Sequence, residues 1–155
     1  MTTGDKGIKL IKDFEGCKLY TYRCPAGIPT IGYGHTKGVK MGMAITQQQA
    51  DQFLKEDLHP AESALNKMCV SFTQNQFDAL ASWIFNLGEA NFNSSTMKKK
   101  ILVKAPAEEI TDQLVKWVKA GGKVLSGLQK RRIAEANLFL GRDLYYLDKG
   151  EIKKK

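Results

Sequence analysis

Residues Glu15 to Thr36 read EGCKLYTYRCPAGIPTIGYGHT, and the fold turns on this stretch. Tyr20, Tyr22, Ile28, Thr30, Ile31 and Tyr33, with Val39 just beyond, are strand formers. Pro25, Gly27, Pro29, Gly32 and Gly34, followed by Gly38 and Gly42, chop them into short runs. The pattern predicts a small twisted antiparallel sheet between Leu19 and Met43. Its first turn is Cys24-Pro25-Ala26-Gly27, which presents Cys24 at the sheet edge, facing whatever cleft lies above.

Working back from Glu15, Ile8, Leu10, Ile11 and Phe14 fall at helical spacings between Asp5, a residue suited to capping, and Gly16. A short amphipathic helix is expected to carry Glu15 at its C-terminal end. There the negative end of the helix dipole and apolar neighbours would surround the carboxyl.

Working forward, Thr46 and Gln49 form a capping box with Ile45 and Ala50 placed as its staple. The stripe Phe53, Leu54, Leu58, Ala61 and Leu65 continues as a helix that Pro60 kinks or splits, leading out of the sheet into a second lobe. Beyond Ser71 the period is helical throughout. A second capping box, Thr73 to Gln76, precedes Phe77, Leu80, Ala81, Ile84 and Phe85, with Gly88 as the stop. Met97, Ile101 and Leu102 suggest a short helix entered through Ser94 to Thr96. Pro106 opens another, carrying Ile110, Leu114, Trp117 and Val118 as far as Gly121-Gly122. The last, Leu128 to Leu140, stops at Gly141. The sum is one α+β domain over 1–155: a sheet lobe at about 15–45, a helical lobe at about 60–141 that includes the N-terminal helix, and a tail at 142–155 ending in a solvated Lys153 to Lys155.

A chain of 155 residues can bury a core without staples. No apolar run approaches the roughly 20 residues of a membrane span, and the N-terminus lacks the apolar core of a signal peptide. The chain is therefore expected to stay in the cytoplasm until released. Cys17, Cys24 and Cys69 form no C-x-x-C pair and stand in no metal spacing with His35 or His59, so neither a metal nor a closed disulfide framework is expected. The formal charge of +8 draws the molecule to polyanions, nucleic acid or the anionic bacterial envelope. Of these, nucleic acid finds no recognition motif here.

Phe14-Glu15-Gly16, the step of nine residues to Cys24, the step of six to Thr30, and TIGYGHT at Thr30 to Thr36 together resemble the phage-type lysozyme (endolysin) family, the group of the bacteriophage T4 and P22 lysozymes. The later segments Phe77 to Gly88, Phe92 to Met97 and Gly127 to Glu135 are similar to later blocks of that family, so the resemblance spans about residues 5 to 141. It implies a lysozyme-like fold with a cleft between the lobes. It also implies hydrolysis of the bond between N-acetylmuramic acid and N-acetylglucosamine in peptidoglycan, lysing the bacterial host. On this resemblance Glu15 is the general acid, and Cys24 and Thr30 position or activate water. Gly34, Thr36, Phe85 and Ser95 line the sugar cleft.

Cys24 stands where many members carry aspartate. A thiol near pKa 8.5 is mostly neutral at pH 7, unless a neighbour such as Arg23 lowers it. His35 is expected to bond across the sheet lobe, His59 to lie on the surface, and Trp83 and Trp117 to be core. Arg131 or Arg132 is expected to pair with Glu135 within one helix. No cofactor, nucleic acid or membrane span is expected. A monomer is the default expectation, and the resemblance implies storage in the host cytoplasm and release to the cell wall by a holin-like permeabiliser. A lytic transglycosylase using Glu15 alone, and a non-catalytic wall-binding or nucleic-acid-binding module, are the alternatives.

Overall fold

The computed structural model describes residues 1–155. The first helix, α1 (Asp5–Glu15), buries Ile11, half-buries Ile8 and Leu10, and ends at Gly16 with φ 68°, whose N–H bonds the Lys12 carbonyl at 3.0 Å. Two details of its expected stripe and cap differ. The N-cap is Gly4, and its cap is supplied from afar: the Asp78 carboxylate accepts the Gly4 N–H at 2.8 Å and the Gly7 N–H at 3.2 Å. A carboxylate on these first-turn amides satisfies donors the helix cannot pair itself. A Cβ on Gly7 would lie 2.8 Å from the Cβ of Asp78, so glycine is what permits this approach. Phe14, expected on the buried stripe, is instead 38% exposed.

β1 (Lys18–Arg23) and β2 (Pro29–Gly32) then pair antiparallel with Tyr22 opposite Thr30, and a bridge from Tyr20 to Ala44 brings the outgoing chain alongside. The turn falls at Cys24 to Gly27, as the Pro and Gly positions predict. Gly27, at φ 79°, donates its N–H to the Cys24 carbonyl at 2.7 Å.

The capping box at Thr46 forms in both directions and opens α2 (Gln47–Asp57). The helix breaks at Leu58, and α3 (His59–Asn66) begins with Pro60 in its first turn. In the helical lobe α4 (Gln74–Leu87) is the axis, capped by the Thr73 box and packed against α1, α3 and α8. It buries Phe77, Leu80, Trp83 and Ile84, the heart of the larger apolar cluster. Trp83 and Trp117 meet edge to face at 5.2 Å, and the Trp83 indole N–H donates to the Leu114 carbonyl, so both tryptophans belong to the interior. A smaller cluster of Ile11, Tyr33, Ala50, Leu54 and Leu58 joins the sheet to α1 and α2. No helix is long and apolar enough to cross a membrane.

The remaining elements depart from the sequence expectation in three places. Gly88 turns the chain, which resumes at once as α5 (Glu89–Ser94) before α6 (Thr96–Leu102). The helix α7 (Ala107–Leu114) stops short of Trp117 and Val118. Gly121 and Gly122 form the turn of a minimal hairpin, β3 (Lys119–Ala120) and β4 (Lys123–Val124), rather than a helix end. After α8 (Ser126–Leu140) and its left-handed Gly141 cap, the tail is an ordered hairpin, β5 (Tyr145–Asp148) with β6 (Glu151–Lys154).

The physical reason for that order is a set of bonds that composition does not display. Asn137 on α8 accepts the Leu144 and Tyr145 amides at 3.0 and 2.9 Å and donates to the Tyr145 carbonyl. Tyr145 is 3% exposed, and its hydroxyl, pushed up in pKa by burial, bonds Asp112 and Thr111 at 2.7 Å each. Lys154 reaches the Asp112 carboxylate at 2.8 Å.

Tyr145→Ala should therefore destabilise the fold by about 3 kcal/mol, the range of large-to-small aromatic changes, and Tyr145→Phe by about 1 kcal/mol. Urea unfolding followed by circular dichroism measures both. A Tyr145→Ala protein as stable as its parent would mean that the hairpin is not docked.

Candidate active site

Glu15 projects from the final turn of α1, where Gly16 ends the helix and turns the chain into β1. Its neighbour is charged, contrary to the apolar surrounding the helix stripe suggested. The Arg131 guanidinium of α8 donates to Glu15 Oε1 at 2.7 Å, with the arginine side chain 4% exposed and the glutamate side chain 24% exposed. The other oxygen, Oε2, faces the turn after β2. A Cβ built on Gly34 would lie 3.4 Å from it, an ordinary contact, and it is the φ of 85° that makes glycine the fitting residue here.

Arg131 is itself held from behind. Its Nε donates to the Glu135 carboxylate at 3.3 Å, and Arg132 pairs with the same carboxylate at 2.8 Å. The Ser82 hydroxyl of α4 donates to it at 2.6 Å. Glu135 and Arg132 are fully buried. Burial pushes the Glu135 carboxyl up and the Arg132 guanidinium down, and their mutual attraction opposes both shifts. The intrahelical pairing expected for Arg131, Arg132 and Glu135 is thus present. The reach of Arg131 to Glu15, across 116 residues of chain, was not legible from helix spacing.

On the opposite wall Cys24 follows β1, half-buried, with a free thiol. The backbone N–H of Ile28 holds this thiol below its ordinary range, outweighing the rise from desolvation, and the Ala26 amide pushes the same way. Arg23, the neighbour expected to do this, instead donates to the Gly27 carbonyl at 3.0 Å. Thr30, on β2 and 3% exposed, donates its hydroxyl to the Ile28 carbonyl at 2.8 Å, which fixes it beside the thiol.

Glu15, Cys24, Gly34, Thr36 and Phe85 line one cleft of about 660 Å3, together with Asn86 and Asp57. Ser95 is not brought to this cleft. It is 3% exposed and caps α6, accepting the Lys98 amide at 3.1 Å and donating to the Phe92 carbonyl at 2.7 Å. Sequence alone had signalled that capping role through its place before a helix.

His35 is buried, stacks on Phe53 at 4.2 Å, and bonds Asp57 of α2 through Nδ1 at 2.8 Å. It ties the turn to α2 rather than spanning the sheet lobe. His59 is exposed. Asn86 and Asp57 were not singled out from the sequence. The Asn86 position in the segment FDALASWIFNLG, directly after Phe85, was the available signal for the first.

Residues 12–135 match the family described as phage lysozyme. The chain belongs to that family. It is 44% identical over 144 residues to the endolysin of Acyrthosiphon pisum secondary endosymbiont phage 1, a match covering 90% of this chain and 98% of that one. To the endolysin of Salmonella phage P22 it is 40% identical over 146 residues, covering 90% and 99%. Among solved structures, the muramidase domain of SpmX from Asticaccaulis excentricus superposes with a TM-score of 0.83 at 35% identity, covering 90% of this chain and 97% of that one. The lysozyme-like α+β architecture is therefore that of the family.

The Ile28 and Ala26 amides make a specific expectation. In a Cys17→Ser, Cys69→Ser protein, the rate of Cys24 alkylation by iodoacetamide should rise with a midpoint below the free-thiol value of about 8.5. A midpoint at or above that value would remove the anion-favouring cradle.

Proposed function

We propose that this cleft hydrolyses the glycan of peptidoglycan at the bond between N-acetylmuramic acid and N-acetylglucosamine, with Glu15 as general acid and Cys24 and Thr30 holding the attacking water. The hydrolase class follows from the family. The residue roles are supported above all by one observation, that Glu15 and an anion-favouring Cys24 line the same cleft.

The proton can be followed through the step. Arg131 occupies Oε1 of Glu15, so the proton to be transferred rides on Oε2, the oxygen facing Gly34 and the cleft. Glu15 gives it to the glycosidic oxygen as that bond breaks. Water beside Cys24 attacks the sugar carbon from the other face and surrenders its proton to the thiolate. The Glu15 carboxylate left behind is already paired with Arg131, and exchange with solvent restores both groups. This is the inverting arrangement, in which acid and base are about 6.5 to 9.5 Å apart with water between. A lytic transglycosylase needs only the acid and would make no use of amides that favour a Cys24 anion.

Gly34, Thr36 and Phe85 serve as sugar contacts on the cleft wall in this reading. Ser95 acts at most through the backbone that it caps. No cofactor takes part. The family resemblance supports action on the cell wall after a holin-like permeabiliser releases the chain from the host cytoplasm, and the chain is taken to act as a monomer. Expression in a bacterial host with and without such a permeabiliser tests that route: lysis only with it supports the route, and lysis without it overturns it.

Glu15→Gln should lower the clearing of purified cell walls by at least about 100-fold, the lower range for loss of general acid catalysis, while remaining folded. Near-normal clearing would reject Glu15 as the acid. Cys24→Ala should lose much of the activity. Cys24→Asp should keep it and move the optimum to lower pH, because a carboxylate stays deprotonated well below the range of a thiol. Cys24→Ala acting like its parent across the pH range would leave the thiol without a catalytic role.

A further inference from the structure

Asn86 lies in the final turn of α4, between Phe85 and the Gly88 stop. It lines the cleft already described and also a second recess of about 540 Å3 on the α8 side of Glu15, walled by Phe14, Leu125 and Leu128. Glu15 and Asn86 are the two side chains common to both recesses. A polymer running from one recess into the other has to cross them.

The orientation of the Asn86 amide is fixed by chemistry. The Arg132 Nη2 donates to its Oδ1 at 2.6 Å. A guanidinium has donors only, so the amide oxygen must face Arg132 and the two N–H groups must turn away from it. Arg132 cannot swing aside, being fully buried and paired with the buried Glu135 at 2.8 Å. A buried ion pair typically adds little net stability over well-packed apolar side chains. What the ion pair adds is a donor of fixed direction under Asn86.

We propose that Asn86 is a substrate-binding residue whose Nδ2 donates to a sugar oxygen, a hydroxyl or an N-acetyl carbonyl, of a glycan strand lying across Glu15. The inference rests on the reading of this cleft as a glycan site and adds to it a contact that the sequence motif did not name. Amides suit this task because a sugar oxygen is a neutral acceptor. A lysine in the same place would bring a charge next to the acid.

The test is binding of purified peptidoglycan by co-sedimentation, with every variant made in the Glu15→Gln background so that the substrate is not consumed. Asn86→Asp keeps an oxygen for Arg132 and removes both donors, and Asn86→Ala removes the whole amide. Both should weaken wall affinity roughly tenfold, the scale of one lost hydrogen bond. Asn86→Asp should melt at or near the temperature of its parent. In the enzyme with Glu15 intact, Asn86→Ala should raise KM more than it lowers kcat and leave the pH profile in place. A merely structural role would not produce that split.

Repeating the binding on walls chemically de-N-acetylated separates the two oxygens. An Asn86→Ala effect that vanishes there identifies the carbonyl, and one that persists identifies a hydroxyl. Wall affinity within twofold of the parent for both variants overturns the proposal. That failure is distinct from failure of the catalytic reading, which would appear as lysis by Glu15→Gln alone.

Discussion

The carboxylate of Glu135, buried where α8 crosses α4, receives two guanidinia and one hydroxyl, and the cleft is organised outward from it. Removing one member of such a buried charge group typically costs about 3–5 kcal/mol, because the remaining charges are left without water or partner. Arg131 passes that constraint to the end of α1, where it holds one oxygen of Glu15 while the other faces Gly34. Three helices distant in sequence are thereby tied to a single carboxyl group. The Asp78 carboxylate, capping α1 from α4, fixes the opposite end of the same helix, so the position of Glu15 is set at both ends.

The hairpin supplies the other half of the site by simpler means. Its tight turn sets Cys24 beside the Ile28 and Ala26 amides, which lower the thiol's pKa, and Thr30 is locked behind it by the Ile28 carbonyl. A thiol in place of a carboxylate would be a poor base in water at neutral pH. Amides beside the thiol reduce that handicap without introducing a second charge near Glu15. The His35 to Asp57 bond, with His35 stacked on Phe53, joins the turn after the hairpin to α2.

Much of this architecture was legible in the chain because it is written locally. The capping boxes at Thr46 and Thr73, the break before Pro60 and the Cys24 to Gly27 turn each depend on residues within a few positions, and each formed as read. What escaped was non-local. The cap of α1 comes from Asp78, the partner of Glu15 from Arg131, and the order of the tail from Asn137 and Asp112, none of which periodicity can reveal. Trp117 and Val118 misled because apolar spacing extended past the true end of α7. Trp117 is half-buried by its edge-to-face contact with Trp83 of α4, not by continuing a helix. Of the site residues, Glu15, Cys24, Gly34, Thr36 and Phe85 converge on one cleft, whereas Thr30 is buried behind Cys24 and does not line it. Ser95 does not line it either, because its side chain is already spent as a cap.

The central claim is that water, held between Glu15 and Cys24, ends up in the product. Digesting purified peptidoglycan in 18O-labelled water, reducing the ends at once with borohydride, and weighing the muropeptides by mass spectrometry tests it most directly. The account predicts one 18O at each newly formed muramic acid end and no anhydro sugar. Ends carrying a 1,6-anhydro bond and no label would contradict it, and would leave the Cys24 cradle without a part in the reaction.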